Sequence, residues 1–351
     1  MRKNLFVLTF LCLIVATQAM AQGMKVVEFK LLENDLTANS FFHFYLYLCT
    51  VKQCELAHAA LPTIMQELSV LIPVYNSCCT PQVERLWKLC DKAGIHFEII
   101  VADDGSSDPS VNEPVNALPH CRLIIKGENS GSAATRNLLA QEAQYDWLLF
   151  IDADVDITHD DYIHRYIVCA EGNEVVNGGI AVGSYKPHNL RWLYEKHAEP
   201  QHDTIHRQAM SHQEFRSTNF LIRRDVMLRC PFDERFKASG YEDVFFGRTL
   251  HRAQVRIIHI DNPVTMSSFE PNDRFMAKTE RNLQTLHRFN KELKDYSGII
   301  KWSRRLVPHA LWRSVFRLLL PTLRRQLSGE SPHLFLYHVY RIGYYMTLKE
   351  A

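Results

Sequence analysis

The sequence predicts an α/β protein built around a mostly parallel β-sheet. From Ser69 onward, short apolar segments that read as strands alternate with segments whose apolar residues recur at helical spacing. Strands that are apolar at consecutive positions are typical of a parallel sheet covered by helices on both faces. Polar motifs follow these strands directly, and in such sheets ligands bind at the carboxyl ends of the strands.

The first half of the domain contains four predicted strands and two predicted helices. The strands lie in the segments SVLIPVY, HFEIIVADD, CRLIIKG and DWLLFID. The first helix begins at Thr80 and Pro81, since threonine caps helices and proline is tolerated in the first turn, and it ends at Gly94. The second helix is predicted in SGSAATRNLLAQEA.

The second half follows the same alternation less regularly. A helix ends near Ala170, strands are predicted in EVVNGGIAV and VRIIHIDNPV, and a loop enters a helix in SGYEDVFFGRTLHRAQ. A further helix is predicted from about Arg274 to Glu292, and the tail beyond it is basic and amphipathic.

Charge is distributed unevenly along the 351 residues. The net charge of +1 gives no indication of a nucleic-acid partner, and we expect none. Residues 299–351, however, carry nine Lys and Arg against two Glu, a net +7, which leaves −6 for the rest. A basic, tryptophan-bearing tail predicts either contact with an anionic membrane surface or a packed helical layer with ordinary surface arginines.

The N-terminus conflicts with the cysteine pattern. Residues 1–21 begin with Arg2 and Lys3, continue with an apolar run and end with Ala-Met-Ala, which is the pattern of a secretory signal, or else of a membrane anchor. The nine cysteines include no CxxC pair, which predicts reduced thiols in a cytosolic protein and no zinc site. We therefore expect the domain at the cytoplasmic face of the inner membrane, with secretion as the alternative.

Three carboxylates at alternate positions end the fourth strand. Asp152 and Asp154 follow the apolar segment WLLFI directly, and Asp156 comes after them, past the expected site. Such acids are either solvated at a strand end or held by a cation, because unpaired charge at a core boundary is costly. Mn²⁺ or Mg²⁺ typically uses one or two carboxylates plus substrate phosphates, so this DxD motif predicts a metal that carries a nucleotide diphosphate.

Two further motifs follow the second and third strands. Asp103 and Asp104 precede a Gly-Ser-Ser turn, which is either a capped turn or a carboxylate pocket for a nucleoside. The segment ENSGSAATRN, with Asn129 and Gly131, opens a helix whose first N–H groups favour an anion. Arg136 lies about two turns into that helix, and it is either solvated or within reach of a diphosphate.

The segment GYED, residues 240–243, supplies a candidate general base. Acids at a helix start are stabilised by the helix dipole, so Glu242 and Asp243 have an ordinary structural explanation. The functional alternative is that one of them takes a proton from an acceptor hydroxyl.

Taken together, these motifs resemble the family 2 glycosyltransferases over residues 69 to about 264. The residues that carry the resemblance are SVLIPVYN, VADDGSSD, ENSGSAATRN, FIDAD, FRSTNFLIRR and GYEDVFFG, and the segment PNDRFMAKTERNL is similar to Bacteroides-type members. The resemblance implies the GT-A nucleotide-sugar fold with a C-terminal helical extension. The expected boundaries are a signal-like segment 1–21, a segment of unknown role 22–67, the GT-A domain 68–265 and a basic helical region 266–351.

The resemblance also implies a role for each motif. Asp104 would bind base or ribose with Asp103 alongside, Asp152 would support the ribose and the metal shell, and Asp154 would ligate the metal. Asp243 would be the catalytic base, and Glu242 would orient it or the acceptor. The remaining nucleotide-sugar contacts would come from Pro73, Val74, Tyr75, Asn76, Asn129, Gly131 and Arg136.

One position departs from the pattern that the resemblance implies. Relatives of this type often carry a histidine shortly after Asn-Pro-Val, where this chain has Met266. A thioether is a poor ligand for Mg²⁺ or Mn²⁺, so weakened metal affinity or an altered donor is expected. His259 is a substitute ligand, or else a structural histidine on a strand.

The activity that the resemblance implies is that of a metal-dependent inverting hexosyl- or N-acetylhexosaminyl-transferase in cell-surface polysaccharide synthesis. It would move a sugar from a nucleoside diphosphate, with UDP as the expected nucleotide, to a hydroxyl of a glycan or lipid-linked glycan. Two alternatives stay open: a sugar nucleotidyltransferase, and an exported glycan-binding protein on a degenerate transferase fold. The first would need a Gly-rich basic loop after the first strand, and YNSCCTPQ offers none.

Overall fold

The computed structural model describes residues 65–237 and 240–348. The signal-like segment 1–21 and all but the last three residues of the segment 22–67 lie outside the described residues. Within the described part, the prediction of an α/β fold with a central sheet and C-terminal helices is confirmed.

The central sheet of the described residues has seven strands in the order β3-β2-β1-β4-β8-β6-β9. Strand β8 runs antiparallel to both of its neighbours, and the other adjacent pairs are parallel. A second sheet has three strands in the order β5-β10-β7. The strands are β1 (Glu67–Val74), β2 (His96–Asp103), β3 (Cys121–Ile125), β4 (Trp147–Ile151), β5 (Val155–Asp156), β6 (Val175–Asn177), β7 (Ile180–Val182), β8 (Asn219–Arg223), β9 (Ile257–His259) and β10 (Val264–Met266).

The helices begin and end close to the predicted positions. The first one ends at a left-handed Gly94 as the sequence predicts, but its N-cap is Cys79 and no side chain caps it. The helix predicted from Arg274 to Glu292 is divided into two. The helices are α1 (Thr80–Ala93), α2 (Ser132–Glu142), α3 (Tyr162–Ala170), α4 (Leu190–Ala198), α5 (Thr204–Ala209), α6 (Arg224–Arg229), α7 (Glu242–Arg252), α8 (Asn272–Arg288), α9 (Asn290–Leu293), α10 (Gly298–Arg305), α11 (His309–Leu327) and α12 (Leu334–Thr347).

The central sheet is buried on both faces, which explains its continuous apolar strands. Val70 and Ile72 of β1 pack with α1 and α3 on one face, whereas Leu71 packs with α2 and α7 on the other. Side chains alternate between the faces of a strand, so both sets are apolar when helices cover both faces. Two smaller apolar clusters lie among the C-terminal helices.

Two segments that were each predicted as one strand are divided between the two sheets. EVVNGGIAV forms β6 in the large sheet and β7 in the small one, and VRIIHIDNPV forms β9 and β10 in the same way. The chain turns between β6 and β7 at Gly179, whose φ of +90° suits glycine. The prediction of two continuous strands was therefore wrong at these crossings.

The side chain of Asn219 links the two segments that pass from one sheet to the other. Its side-chain oxygen accepts hydrogen bonds from the hydroxyls of Tyr162 and Tyr166, at 2.6 and 2.7 Å. Its side-chain nitrogen donates to the carbonyls of Gly179 and Asn262, at 2.9 and 2.8 Å. Asn219 and both tyrosines are buried, so water does not reach them. The two hydroxyls and the two carbonyls therefore rely on the Asn219 side-chain amide for these hydrogen bonds.

We expect Asn219→Leu to lower the free energy of unfolding by about 3 kcal/mol or more, because it strands several buried polar groups at similar volume. Denaturant unfolding followed by circular dichroism measures this loss. Gln141→Ala, at an exposed position of α2, is the control and should change stability by less than about 0.5 kcal/mol. Equal stability of the two variants would contradict the importance of this network.

Candidate active site

A cleft of about 1880 Å³ opens at the carboxyl ends of β1 and β4. These strands are neighbours, but the chain runs from β1 outward to β2 and β3 before it returns to β4 on the other side. Such a reversal of strand order leaves a crevice where α/β proteins bind ligands. The predicted site residues that line the cleft are Pro73, Val74, Tyr75, Asn76, Asp104, Asn129, Gly131, Arg136, Asp152, Asp154, Glu242 and Asp243.

The Asp104 carboxylate fixes the loop that leads into α2. It accepts hydrogen bonds from the backbone N–H groups of Ser130 and Gly131, both at 2.9 Å, and the Lys126 ammonium lies 2.5 Å away. Burial alone would raise the pKa of Asp104, but the hydrogen bonds from Lys126 and Ser130 outweigh it and lower this pKa. Asp104 is therefore ionised at neutral pH and anchors the N-terminal end of α2 beside the cleft.

Two glycines let this loop approach its neighbours closely. Gly131 has φ of +94°, and a Cβ there would lie 2.5 Å from the carbonyl oxygen of Lys237. Gly105 has φ of +75°, and a Cβ there would lie 2.6 Å from the backbone nitrogen of Asn129. Larger residues at these positions would push the loop away from the strand ends.

Asp103 and Asn76 have structural partners in the turn after β2. The Asp103 side chain accepts a hydrogen bond from the Ser106 N–H at 2.7 Å, and Asp103 is not among the residues that line the cleft. The Asn76 side chain accepts from the Ser107 N–H at 2.9 Å, and this residue does line the cleft. The turn-capping explanation thus describes Asp103 better than nucleoside contact does.

Arg136 is the cation that meets Asp152. Its guanidinium donates to the Asp152 carboxylate at 2.6 Å and lies over the ring of Phe232, 5.5 Å from the centroid. Arg136 is only 3% exposed, so the sequence alternative of a solvated arginine is wrong. One helical turn earlier, the Ser132 hydroxyl donates to the Glu242 carboxylate at 3.0 Å. Helix α2 thus joins the acids that follow β4 to those that begin α7.

Asp154 lines the cleft two residues after Asp152. Desolvation by the surrounding protein raises the pKa of Asp154, repulsion from Asp152 adds to this, and Arg191 and Lys278 oppose it. Arg191 and Lys278 in turn share the carboxylate of Glu270, at 2.5 and 3.7 Å. A carboxyl group whose ionisation is made costly in this way gains from a nearby cation.

Glu242 and Asp243 line the cleft from the start of helix α7. The Glu242 carboxylate accepts from the Gly240 N–H at 2.6 Å, and the Asp243 carboxylate accepts from the Val244 N–H at 2.8 Å. Burial and repulsion from Asp243 raise the pKa of Glu242, and Arg136 opposes the rise. The preceding Tyr241 has φ of +69°, so the backbone turns sharply before the two acids.

Arg216 balances the negative charge near Asp243. Desolvation by neighbouring cleft residues would lower the pKa of Arg216, but the charges of Asp243 and Glu195 outweigh this effect and raise it. The guanidinium therefore stays charged in the field of these acids.

His259 lies outside the cleft, which contradicts the prediction that it ligates a metal there. One ring nitrogen accepts from the Arg207 guanidinium at 3.0 Å, and the other lies 2.9 Å from the Ser211 carbonyl, to which it donates. Burial lowers the pKa of His259 to about 4, so the ring is neutral at pH 7. Both nitrogens are already used by structural partners.

The oxygen donors around Asp154 fit a hard divalent cation whose remaining ligands would come from the substrate. In the described part of the chain, no group of three or more His, Cys, Asp and Glu side chains could hold a metal by itself. Met266 is in register with Val155, directly after Asp154, so a thioether occupies this side of the site. Asp154 and the second oxygen of Asp152 are the hard oxygen donors, and Mg²⁺ or Mn²⁺ commonly takes only one or two carboxylates beside phosphates and water.

Several cleft residues were missed by sequence reasoning. Arg191 lies in a His-rich stretch without a motif, and Arg341 lies in the tail whose arginines were assigned to a membrane or a surface layer. Arg341 is enclosed by tyrosines, with its guanidinium 5.1 Å from the ring centroid of Tyr194 and 5.4 Å from that of Tyr337. Lys278 lies four residues after Arg274 on an amphipathic helix. This spacing was the one sequence signal that could have placed Lys278 in the cleft.

Comparison with known proteins agrees with this geometry. Residues 69–230 match the model of the family described as glycosyl transferase family 2. This segment is therefore similar to the family 2 glycosyltransferases. The matched range extends from β1 to the end of α6, and the acids of α7 lie beyond it.

The curated relatives are similar over part of their length. A glycosyltransferase of Haemophilus influenzae is 29% identical over 119 residues, which cover 31% of this chain and 47% of that protein. The undecaprenyl-phosphate 4-deoxy-4-formamido-L-arabinose transferase of Proteus mirabilis is 32% identical over 118 residues, 32% of this chain and 36% of that protein. The chain thus spans less than half the length of these relatives.

Two solved structures are also similar to this chain. A mannosyltransferase from Pyrobaculum calidifontis, in complex with GDP-Man and Mn²⁺, has a TM-score of 0.49 and 15% identity, with 86% of this chain and 96% of that chain covered. The S. aureus TarS fragment 1–349, in complex with UDP-GlcNAc, has a TM-score of 0.45 and 16% identity, with 80% and 89% covered.

The raised pKa of Glu242 predicts a pH-dependent effect of Glu242→Gln. A carboxyl group whose pKa is raised in the folded state stabilises the fold fully below its ordinary pKa of 4.5 and loses this contribution as pH rises through the raised value. A neutral glutamine avoids that loss and keeps an oxygen acceptor for the Gly240 N–H. We therefore expect the variant to have a higher Tm than wild type at pH 8, with the difference disappearing towards pH 4.

Thermal unfolding of the transferase domain in the full chain, scanned between pH 4 and pH 8 without divalent metal, measures this difference. Glu84→Gln, at an exposed position of α1, is the control and should show no such trend. A Tm for Glu242→Gln below that of wild type at pH 8 would contradict the charge arrangement described for this helix start.

Proposed function

We propose that this protein is a metal-dependent inverting glycosyltransferase that transfers a sugar from a UDP-sugar to a hydroxyl of a glycan or lipid-linked glycan. The observation that carries the proposal is the convergence of separate motifs on one cleft. Asp104 follows β2, Asp152 and Asp154 follow β4, and Glu242 and Asp243 line the same cleft from the start of α7. Ligands of open α/β sheets bind at this edge of the sheet.

The strand-end side of the cleft suits the donor. Pro73, Val74 and Tyr75 provide an apolar wall, and Tyr75 is 53% exposed, so its ring is accessible to a nucleotide base. The start of α2, with Gly131 as its N-cap, presents backbone N–H groups next to this wall. Arg136 adds fixed positive charge behind them.

The α7 side of the cleft suits the acceptor. In our proposal the Asp243 carboxylate takes the proton of the acceptor hydroxyl as that oxygen bonds to the anomeric carbon. The bond from this carbon to the diphosphate oxygen breaks on the opposite face of the sugar, which inverts the anomeric configuration. Glu242, held by Ser132 and Gly240, fixes the start of α7 and so orients the neighbouring Asp243.

Asp154, with the second oxygen of Asp152, would hold the divalent cation, Mn²⁺ or Mg²⁺. Such a cation neutralises the charge that develops on the departing diphosphate. Arg191 and Lys278 lie in the same part of the cleft and contribute positive charge there without being ligands.

The place of action is part of the proposal. One relative is named as an undecaprenyl-phosphate transferase, and we extend a lipid-linked acceptor and cell-surface polysaccharide synthesis to this chain on that basis. A nucleotide-sugar donor and reduced cysteines favour the cytoplasmic face of the inner membrane over secretion.

Titration calorimetry with UDP tests the donor site. We expect wild type to bind UDP in the presence of Mn²⁺, and Asp154→Asn to bind it at least about tenfold more weakly, because a ligand of the cation is lost. Chelation by EDTA should reduce wild-type affinity to the level of the variant. Asp156→Asn is the matched control, since Asp156 lies two residues on but is held by Ser267 outside the residues that line the cleft.

Binding that is equal in wild type, Asp154→Asn and EDTA would contradict metal dependence. Absence of UDP binding with every metal would contradict the choice of nucleotide.

The proposed base is tested by Asp243→Asn. We expect UDP release from a panel of UDP-sugars, with cell membranes as the source of acceptor, to fall about 10²- to 10⁴-fold, since general-base catalysis contributes this much. UDP affinity should stay at the wild-type value, because Asp243 faces the acceptor. Full activity of the variant would exclude Asp243 as the base, and a parallel loss of UDP affinity would assign it to the donor site instead.

A further inference from the structure

Helices α10 and α11 expose large apolar side chains to solvent. We use the name α10–α11 face for the surface formed by Trp302, Val307, Leu311, Leu318 and Leu319. Val307 is 65% exposed, Leu311 58% and Leu318 81%. Exposed apolar residues that cluster on consecutive helices, rather than singly, mark a surface that binds something.

Leu311 and Leu318 lie seven residues apart on α11, so they share one side of the helix, and Arg325 follows on the same side after another seven. The opposite side of α11 packs inward through Phe316 and Leu327, which are buried. The helix is therefore held to the protein by one apolar side and presents a second one outward.

The stretch that contains α10 and α11 carries basic residues and no acidic ones. Between Asp295 and Glu330 the chain contains no Asp or Glu. Arg317 and Arg325 are exposed on α11, and the Arg305 guanidinium lies 5.0 Å from the ring centroid of Trp302. The basic residues of this stretch are Lys301, Arg304, Arg305, Arg313, Arg317, Arg324 and Arg325.

Leucine and tryptophan side chains surrounded by arginines fit the boundary between lipid headgroups and acyl chains. Apolar side chains enter that boundary, and arginines pair with anionic headgroups at its surface. A soluble polyanion would use the arginines but would leave the leucines in water. None of the described helices is long and apolar enough to cross a bilayer.

The cleft opens beside this surface. Trp302 of the α10–α11 face also lines the cleft, and so does Phe335 at the start of α12, which is 66% exposed. The rim of the cleft at these two residues is therefore apolar, in contrast to its charged interior.

From these observations we infer that the α10–α11 face docks on an anionic bilayer and that the cleft receives its acceptor from the membrane surface past Trp302 and Phe335. The docking is inferred from the exposed α10–α11 face alone. The acceptor part rests on the transferase function proposed above and narrows the acceptor to a lipid-linked glycan.

Flotation of the full chain with vesicles tests the docking. We expect binding to vesicles of phosphatidylcholine and phosphatidylglycerol, little binding to phosphatidylcholine alone, and release as salt is raised. Arg317→Glu/Arg325→Glu should weaken binding at least about tenfold, since two attractive charges become repulsive. Leu311→Asn/Leu318→Asn should weaken it about tenfold, because two apolar side chains no longer enter the bilayer.

Matched controls remove the same kinds of side chain elsewhere. Lys88→Glu/Arg252→Glu reverses two exposed charges on α1 and α7, and Val168→Asn/Leu228→Asn removes two exposed apolar side chains on α3 and α6. Both controls should bind vesicles as wild type does. Circular dichroism and the UDP titration, applied to every variant, show whether fold and donor site are intact.

Three results would overturn the inference. Undiminished flotation of both α11 variants would assign membrane binding to another part of the chain, residues 1–64 included. Loss with the arginine variant but not with the leucine variant would make the surface a site for soluble polyanions. Absence of flotation from anionic vesicles would exclude docking, and if UDP still bound, the proposed transferase function would be unaffected.

Discussion

The arrangement of the cleft depends on how the Asp104 carboxylate holds the start of α2. This buried acid is ionised because Lys126 and two backbone N–H groups stabilise its charge, and it fixes where the helix begins. From that fixed start, Ser132 reaches Glu242 and Arg136 reaches Asp152. Acids that are far apart in sequence are thus placed by one helix, whose own position is set by a residue at the end of β2.

The cleft keeps many acids close together by giving them different partners. Asp152 has the buried guanidinium of Arg136, whereas Asp154 has only the more distant charges of Arg191 and Lys278, and desolvation raises its pKa. Two neighbouring carboxylates therefore differ in how much they gain from an added cation. This is why the proposed function places the cation at Asp154, whose charge is the less compensated of the two.

The C-terminal helices connect this chemistry with the outside of the molecule. Helix α8 brings Lys278 to the cleft and α12 brings Arg341, so the basic region is part of the site as well as of the surface. One side of α11 belongs to a packed helical layer, and the membrane contact that we infer would use the other side. This division follows from amphipathic packing on both sides of one helix, which a count of charges does not reveal.

The sequence by itself determined the alternation of strands and helices and the meeting of most site residues at one sheet edge. It did so because the carboxyl ends of parallel strands coincide whatever the details of packing. Only the tertiary structure decided that Arg136 pairs with Asp152, that His259 lies elsewhere, and that two apolar segments cross between sheets. These outcomes depend on contacts between residues distant in sequence, such as the buried amide of Asn219, and neither local spacing nor composition specifies such contacts.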